Sequence, residues 1–167
     1  MARPLPSPPP EPPGFGSWRE VMALALAEAH AAARQGEAPI GAVLLDTAGH
    51  VLARACNRPI AAHDPTAHAE VLCLRQAAEK LGNYRLPGCI LAVTLEPCMM
   101  CVGALVHARV AGIVFGAADP KAGALVSNLD ARALPFLNHR PWVLPGVLAE
   151  DCAALLTGFF RRRRKRG

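Results

Sequence analysis

The segment CILAVTLEPCMMCVGALVH, residues 89–107, joins a predicted strand to a predicted helix through a short turn. Its first part, Cys89 to Leu95, lacks the alternation of polar and apolar residues seen in half-exposed strands, so we expect a strand buried on both faces. Pro97 then favours the first turn of a helix, where its missing N–H is not needed. That helix should end near His107. The segment therefore predicts an α/β fold whose sheet is covered on both sides.

The sequence on either side of this segment continues the pattern. Ser17 and Glu20 form a capping box that predicts the start of a helix, and Gly36 predicts its end. Thr66 and Gly82 frame a further helix in the same way. The predicted elements follow one another along the chain as helix 18–34, strands 40–45 and 51–56, polar loop 57–65, helix 66–81, the strand and helix of segment 89–107, strand 110–115, loop 116–141, strand 142–144 and helix 148–164. Because helices alternate with strands after the hairpin, we expect a mixed sheet with helices on both faces.

Length and composition fit one globular domain. The chain has 167 residues, of which 52% are hydrophobic and 19% charged, enough apolar material for a core of its own. Residues 1–16 are dominated by proline and are predicted to form a disordered leader that carries little able to pack. The domain itself is assigned to residues 17–164, followed by a basic tail at 165–167. The net charge of +5 is in keeping with a polyanionic partner.

Six cysteines raise the question of the redox compartment. The N-terminal residues lack the apolar segment of a secretory signal, and no apolar run is long enough to span a bilayer. We therefore expect a cytoplasmic protein without membrane contact, in which the thiols are reduced and any pair at ligand spacing is a metal candidate. The cysteines outside such a pair are interpreted as small core residues: Cys56, Cys73, Cys89 and Cys152.

Two short motifs, each at the predicted start of a helix, carry side chains that bind zinc. Cys98 and Cys101 are three residues apart, so both sulfurs face the same way on a helical turn. The N-terminal end of a helix also favours thiolate over thiol. His68 supplies an imidazole at the start of the other helix. Three protein ligands with one open position are typical of catalytic zinc, so we predict one Zn²⁺ per chain.

Glu70 stands two residues beyond His68 and is the candidate catalytic residue. At a helix start, this spacing allows His68 to reach the metal while Glu70 reaches the water that the metal activates. Zinc lowers the pKa of such a water toward neutrality. A neighbouring carboxylate can then take the water's proton and deliver it to a leaving nitrogen. The pair of motifs H-x-E and P-C-x-x-C is the signature of zinc-dependent nucleobase deaminases, which indicates hydrolytic deamination.

Simpler interpretations of the same residues must be weighed. A single C-x-x-C is often a redox pair or half of a structural zinc site. Here Pro97 precedes the pair, no thioredoxin-like pattern surrounds it, and a second pair for a four-cysteine site is absent. A lone histidine is more often structural than a ligand. The ordered combination of both motifs at two helix starts is what favours a catalytic metal.

Beyond the zinc motifs, further short motifs are spread along the chain from about residue 18 to residue 164: PIGAV (39–43), NRP (57–59), HDPTAHAE (63–70), YRL (84–86), EPCMMC (96–101), HAR (107–109), FGA (115–117), DPK (119–121), NHR (138–140) and FFR (159–161). In these motifs the chain resembles the bacterial tRNA-specific adenosine deaminases of the cytidine deaminase-like superfamily. The resemblance implies a three-layer α/β/α sandwich around a five-stranded sheet and a homodimer with active sites near its interface. It also implies that the substrate is the wobble adenosine in the anticodon loop of an arginine tRNA, which is converted to inosine.

The resemblance also assigns roles to individual residues. Asn57 would hydrogen-bond the purine ring, and Ile40 would pack on the base. The zinc ligands and the proton shuttle would be His68, Cys98, Cys101 and Glu70. Flanking nucleotides would be held by Asp119, Lys121 and Asn138. The chain departs from the family pattern at Ala118, where a charged residue is frequent, and at Val126, where glycine is usual, which puts the shape of that loop in question.

The C-terminus carries six consecutive cations, Arg161 to Arg166. A solvated tail is the ordinary interpretation of such a run. Two features favour a role in recognition: the run continues directly from the last predicted helix, and it follows the aromatic pair Phe159 and Phe160. RNA loops can stack splayed bases on aromatic rings. The hypothesis is that Phe160 borders the pocket and that the first arginines hold the RNA backbone.

Two other functions remain open on the sequence alone. A deaminase of the same fold could act on a free base or nucleotide, such as cytosine, guanine or dCMP, with unchanged zinc chemistry. A non-catalytic RNA-binding subunit with structural zinc is the other alternative. Glu70 argues against the latter, because a binding subunit has no need of a proton shuttle.

Overall fold

The computed structural model describes residues 4–165. The helices and strands within this range are α1 (Trp18–Arg34), β1 (Gly41–Leu45), β2 (Val51–Cys56), α2 (Pro59–Ala62), α3 (Ala69–Leu81), β3 (Ile90–Leu95), α4 (Met99–His107), β4 (Gly112–Ala117), β5 (Trp142–Leu144) and α5 (Ala149–Arg164). A 3₁₀ turn at Ala131–Ala133 interrupts the loop between β4 and β5. The order of elements agrees with the sequence prediction.

The five strands form one mixed sheet in the order β2-β1-β3-β4-β5. β1 is antiparallel to both β2 and β3, whereas β3, β4 and β5 run parallel to one another. The register places Ala55, Ala42, Val93 and Phe115 in one row across four strands, and all four side chains belong to the same core. The predicted mixed sheet is therefore confirmed.

Two separate cores lie on the two faces of the sheet, because side chains of a strand alternate between them. In β1, Ala42 and Leu44 face the core shared with α3 and α4. Val43 and Leu45 face the opposite core, which also contains residues of α1 and α5. Helices thus cover both faces, and the expected three-layer α/β/α architecture is confirmed.

The segments that carry the predicted site residues meet at one edge of the sheet. Because β1 runs opposite to β2, β3 and β4, the start of β1 lies beside the ends of these three strands. The backbone N–H of Gly41 donates to Thr94 Oγ1 at 3.1 Å across this edge. Residues that precede β1 or follow the other strands therefore meet here.

The starts of α3 and α4 differ from the sequence prediction. Thr66 does not cap α3, because its Oγ1 donates to Asp64 Oδ1 at 2.7 Å and stays in the preceding turn. His68 occupies the N-cap position instead, with extended backbone. In the same way Cys98 is the N-cap of α4, so Pro97 lies before the first helical turn and not within it. Both corrections bring the predicted ligand residues His68 and Cys98 to the N-terminal ends of their helices.

Two smaller differences concern neighbouring segments. The predicted polar loop 57–65 contains the one-turn helix α2, which has Pro59 at its first position. A proline is pre-organised for that position. The fourth strand extends to Ala117, two residues beyond the predicted end, because its pairing with β3 continues to Leu95.

Residues 4–16 have neither helix nor strand, but their second half lies against the domain. Pro12 is buried, the Pro9 carbonyl accepts a hydrogen bond from Trp18 Nε1 at 3.2 Å, and Phe15 packs against the second core. The expectation that little in this leader can pack thus does not hold for residues 9–15. An extended proline-rich chain leaves its carbonyls free to accept such hydrogen bonds. Residues 1–3, and 166–167 of the predicted basic tail, lie outside the described range.

Candidate active site

His68, Cys98 and Cys101 come together at the starts of α3 and α4. The Sγ atoms of the two cysteines are 3.7 Å apart. His68 Nδ1 lies 3.8 Å from Cys98 Sγ and 3.5 Å from Cys101 Sγ. Among the described residues, this is the group of histidine, cysteine and acidic side chains that could hold a metal ion.

These three distances fit a zinc ion. With metal–sulfur distances of about 2.3 Å and a metal–nitrogen distance of about 2.0 Å, a tetrahedral site separates two sulfurs by about 3.8 Å and a sulfur from a nitrogen by about 3.5 Å. The contact of Cys98 with Cys101, followed by its contact with His68, lowers the pKa of Cys98 to about 4. That sulfur is a thiolate at neutral pH, the form that binds zinc. The donor set and its spacing therefore suit Zn²⁺ with a fourth position free.

Glu70 lies in the first turn of α3 beside this trio and is buried. Its Oε2 is enclosed by protein and has no hydrogen-bond partner within residues 4–165. Burial raises the pKa of the Glu70 carboxyl, and His68 and Cys101 are near enough to lower it in part. Buried polar atoms are normally satisfied, so an unpartnered carboxylate oxygen next to three metal donors indicates that a ligand completes the site.

Asn57 and Ile40 are joined by a backbone hydrogen bond at the same edge of the sheet. The backbone N–H of Asn57 donates to the Ile40 carbonyl at 3.0 Å. The side-chain Oδ1 of Asn57 accepts the N–H of Ala69 at 2.8 Å, which fixes the first turn of α3. This leaves the amide nitrogen of the buried Asn57 as its donor toward a ligand. Ile40 is half-buried directly before β1.

Glu96 ties the segment before Cys98 to the loop after β4. Its buried carboxylate accepts the backbone N–H groups of Asp119, Leu125, Val126 and Ser127 at 2.7–3.1 Å, and also the Ser127 hydroxyl. Burial alone would raise the pKa of Glu96, but the hydrogen bonds from this loop outweigh it and lower the pKa to about 2. The loop that carries Asp119 and Lys121 is thus held by a carboxylate that lies two residues before Cys98 and is ionised at neutral pH.

The loop tolerates the departure at Val126. Its side chain is 59% exposed while its N–H donates to Glu96 at 2.7 Å, and its backbone φ is not positive. The position that requires glycine is Gly123, where a Cβ atom would lie 2.4 Å from Glu96 Oε2. A side chain in place of the usual glycine at 126 therefore points to solvent and leaves the loop intact.

Asn138 and Phe160, which the sequence analysis also assigned to the substrate, make contacts of their own outside the trio. The carbonyl of the exposed Asn138 accepts from Arg109 at 3.0 Å. Phe160 is 41% exposed near the end of α5 and makes an edge-to-face contact with Phe159, with ring centroids 5.4 Å apart. Within the described range, no hydrogen bond or aromatic contact joins either residue to the trio. Hydrogen bonds join Asn57 to Ala69, directly after His68, and join Ile40 to Asn57. Asp119 is joined through Glu96 to the segment that precedes Cys98.

Comparison with known proteins agrees with this geometry. The model of the cytidine and deoxycytidylate deaminase zinc-binding region matches residues 17–117. A tRNA-specific adenosine deaminase of Haemophilus influenzae is 45% identical over 87% of this chain and 84% of that protein. Its counterpart in Agrobacterium fabrum is 47% identical over 86% of this chain and 93% of that protein. The chain belongs to the family of zinc-dependent tRNA-specific adenosine deaminases.

A solved structure supports membership of this deaminase family at the level of the fold. It comes from work on A-to-I editing by tRNA:A34 deaminases at the wobble position of transfer RNA. It is 45% identical, with a TM-score of 0.80 over 82% of this chain and 99% of that chain. Because the matched family model describes a zinc-binding region, zinc binding is a property of this domain.

No helix among residues 4–165 combines the length and apolar character needed to cross a membrane.

Two buried carboxylates at this deaminase site were not given a role by the sequence analysis. Glu96 appeared only as part of a motif, and Glu37 was not singled out. Glu37 accepts the N–H of Ala61 at 2.8 Å and that of Ile60 at 3.4 Å, which holds α2 just after Asn57. The available signal for Glu96 was a charged residue directly after an apolar strand. Its partners lie up to 31 residues away and carry no pattern of their own.

Replacing Glu96 with glutamine should weaken substrate handling without removing zinc. Glutamine keeps one acceptor oxygen but presents an NH₂ group to the donors that now contact Oε2, the Asp119 N–H among them. Loss of hydrogen bonds to a charged group costs about 1.5–3 kcal/mol each. We expect kcat/KM on tRNA to fall about 10–100-fold, mainly through KM, with zinc content unchanged.

The same defect should follow from Gly123→Ala, because the added Cβ atom would lie 2.4 Å from Glu96 Oε2. Steady-state kinetics and metal analysis of both variants test this. Unchanged kinetics in Glu96→Gln, or parallel loss of zinc and activity, would show that Glu96 does not position the loop.

Proposed function

We propose that this protein hydrolyses adenosine to inosine in tRNA, at the wobble position of an arginine tRNA anticodon, with His68, Cys98 and Cys101 as the zinc ligands. The observation that carries the proposal is the enclosed, unpartnered Oε2 of Glu70 beside this trio, in a chain of the tRNA-specific adenosine deaminase family. A redox cysteine pair or a closed structural zinc site would have no use for such a carboxylate.

The chemistry divides between the metal and the protein. When bound, zinc supplies a Lewis acid that makes water nucleophilic near neutral pH. Glu70 Oε2 takes the proton of the attacking water and passes it to the base, so that the amine leaves as ammonia. The burial that raises the pKa of Glu70 suits a group that must both accept and release a proton. A C–O bond forms and the C–N bond to the exocyclic amine breaks, giving inosine and ammonia.

Recognition of the base is assigned to Asn57 and Ile40. The Asn57 amide nitrogen can donate to an acceptor on the purine ring, while the half-buried Ile40 offers an apolar surface to the ring face. Reaction on a base in an RNA loop requires that it be splayed out of its stack. Neighbouring nucleotides are proposed to contact Asp119, Lys121, Asn138 and Phe160.

Assembly as a homodimer is also part of the proposal. Met99 and Met100 are 49% and 38% exposed at the start of α4, directly beside the ligand cysteines. Exposed apolar groups clustered at one place often mark a protein interface. A dimer through this surface would bring two sites close together, and analytical ultracentrifugation measures it. With tRNA as the proposed substrate, the proposed location of the enzyme is the cytoplasm.

A substrate panel tests the function. The purified zinc-loaded protein is offered arginine tRNA, other tRNAs, cytidine, cytosine and guanine, and ammonia release is measured together with inosine by sequencing. We expect inosine at the wobble position of the arginine tRNA and no turnover of the free compounds. Turnover of guanine or cytosine without reaction on tRNA would assign the site to free bases.

Asn57→Asp separates the base contact from the structural contact of this residue. Aspartate retains an oxygen for the Ala69 N–H but cannot donate to the purine. We expect α3 and zinc to be retained and kcat/KM to fall about 10²–10³-fold, the range for removing one hydrogen-bond donor from a preorganised site. Asn57→Ala, which removes both interactions, is the comparison and should also lower the melting temperature. Wild-type kinetics in Asn57→Asp would restrict the residue to holding α3.

A further inference from the structure

A cleft with three arginines lies between the ends of α1 and α5. It has a volume of about 420 Å³. Its lining consists of Ala33, Arg34, Gly36, Phe159, Arg162 and Arg163. Phe159 is buried and forms part of an apolar floor, whereas the three arginines are exposed. The cleft therefore combines positive charge at its rim with an aromatic ring beneath.

The arginines of this cleft lack protein partners. Within residues 4–165, neither a salt bridge nor a side-chain hydrogen bond involves Arg34, Arg162 or Arg163. The nearby acid Glu37 is committed to the N–H groups of α2. Three like charges gathered at one cleft repel one another, and the negative end of the α5 dipole offsets this only in part. Their exposed guanidinium groups are therefore available to an anion from outside the chain.

The cleft lies at the same edge of the sheet as the candidate active site. α1 packs directly on Gly41, where a Cβ atom would lie 2.1 Å from the Ala25 carbonyl oxygen. The chain from Arg34 to Ile40 can span at most about 20 Å. Burial raises the pKa of the Cys56 thiol, and the charge of Arg34 is near enough to lower this pKa in part. Cys56 directly precedes Asn57. Arg34 is thus close to the residues proposed to hold the base.

We propose that this cleft binds the phosphodiester backbone of the RNA substrate, at nucleotides outside the reacting base. Guanidinium groups match phosphate oxygens in a bidentate fashion. The Phe159 floor offers apolar contact to the adjoining ribose. The inference rests on the proposed function and adds to it: Arg34, in a different helix from the C-terminal run of cations, makes the cleft a two-sided site and not merely a charged tail.

A matched pair of double variants tests the cleft. Arg34→Glu/Arg162→Glu reverses two charges in it, while Arg19→Glu/Arg54→Glu reverses two exposed charges elsewhere, so net charge changes equally. The dissociation constant for tRNA is measured at several salt concentrations with the zinc-loaded full chain, together with kcat, KM and zinc content. Each variant is also tested for binding of inorganic phosphate and adenosine monophosphate.

We expect the cleft variant to raise KM and Kd for tRNA about 10–100-fold, with kcat and zinc content unchanged. Its plot of log Kd against log salt should be flatter by about 1.4, because two fewer phosphates of single-stranded RNA are neutralised. The control variant should stay near wild type. If tRNA binding weakened equally in both variants, the effect would come from net charge alone. Wild-type affinity for tRNA in the cleft variant would refute the proposed site.

Two further outcomes are distinguishable. Phosphate or mononucleotide binding that the cleft variant abolishes, with tRNA affinity unchanged, would make the cleft a small-anion site and overturn the proposal. If the wild-type protein binds tRNA without deaminating it, the proposed function fails, but the comparison of dissociation constants still decides whether the cleft holds RNA.

Discussion

Replacing Glu70 with glutamine should leave the fold and the zinc content intact while kcat falls by at least about 10²–10⁴-fold, the usual contribution of a general acid–base group. Glutamine has nearly the same shape and fits the same buried position in α3. It cannot accept the proton of water or return it to the leaving amine. The decrease should be larger than this range if one carboxylate handles every proton step.

The measurement combines single-turnover deamination of tRNA with metal analysis and circular dichroism. Glu79→Gln is the matched control, because Glu79 lies on the same helix but is exposed. An active Glu70→Gln enzyme would eliminate the proton-transfer role. A variant that lost zinc together with activity would show instead that Glu70 supports the metal site.

Cys101→Ala should abolish zinc binding at neutral pH and reduce deamination to background. Cys101 is fully buried, and its sulfur lies within 3.7 Å of both other donor atoms. Two protein ligands cannot hold Zn²⁺ as three do, and the decrease in affinity should exceed the roughly 10–100-fold effect of removing a hydrogen bond to a ligand. The melting temperature of the variant should no longer respond to a zinc chelator.

Cys89→Ala is the control, since it also removes a buried thiol but lies outside the trio. It should retain one zinc per chain and wild-type kcat. Full zinc occupancy and full activity in Cys101→Ala would refute the ligand assignment. Isothermal titration with zinc, performed on metal-free protein, gives the affinities directly.

Local patterns in the sequence predicted most of the fold and the three side chains that come together as candidate metal donors. The spacing of Cys98 and Cys101 is a property of one helical turn, and the lack of polar alternation from Cys89 to Leu95 is a property of one strand, so neither depends on distant residues. The predicted N-cap of α3, Thr66, lies two residues before the observed N-cap, His68, because the Thr66 hydroxyl is equally suited to cap a helix or to close a turn on Asp64. In the folded protein the hydroxyl stays on Asp64, and the distant side chain of Asn57 accepts the N–H of Ala69 in the first turn of α3.

Features that depend on distant residues were not predictable. The role of Glu96 comes from backbone N–H groups 23–31 residues away, and every residue type except proline has such a group. The packing of residues 9–15 needs the indole of Trp18 in place beneath them. The arginine cleft joins residues 34 and 162, which only the folded chain brings together. For these three features, the amino-acid composition indicated only that the protein carries a net positive charge.

The conformation of the loop after β4 is fixed by hydrogen bonds from its backbone N–H groups to the Glu96 carboxylate. Because these hydrogen bonds do not involve most of the loop's side chains, the side chains at the loop surface can change without altering its conformation. Val126 illustrates this, with its N–H held and its side chain in solvent. A loop built in this way can evolve new substrate preferences by single substitutions that neither unfold it nor disturb the neighbouring metal ligands.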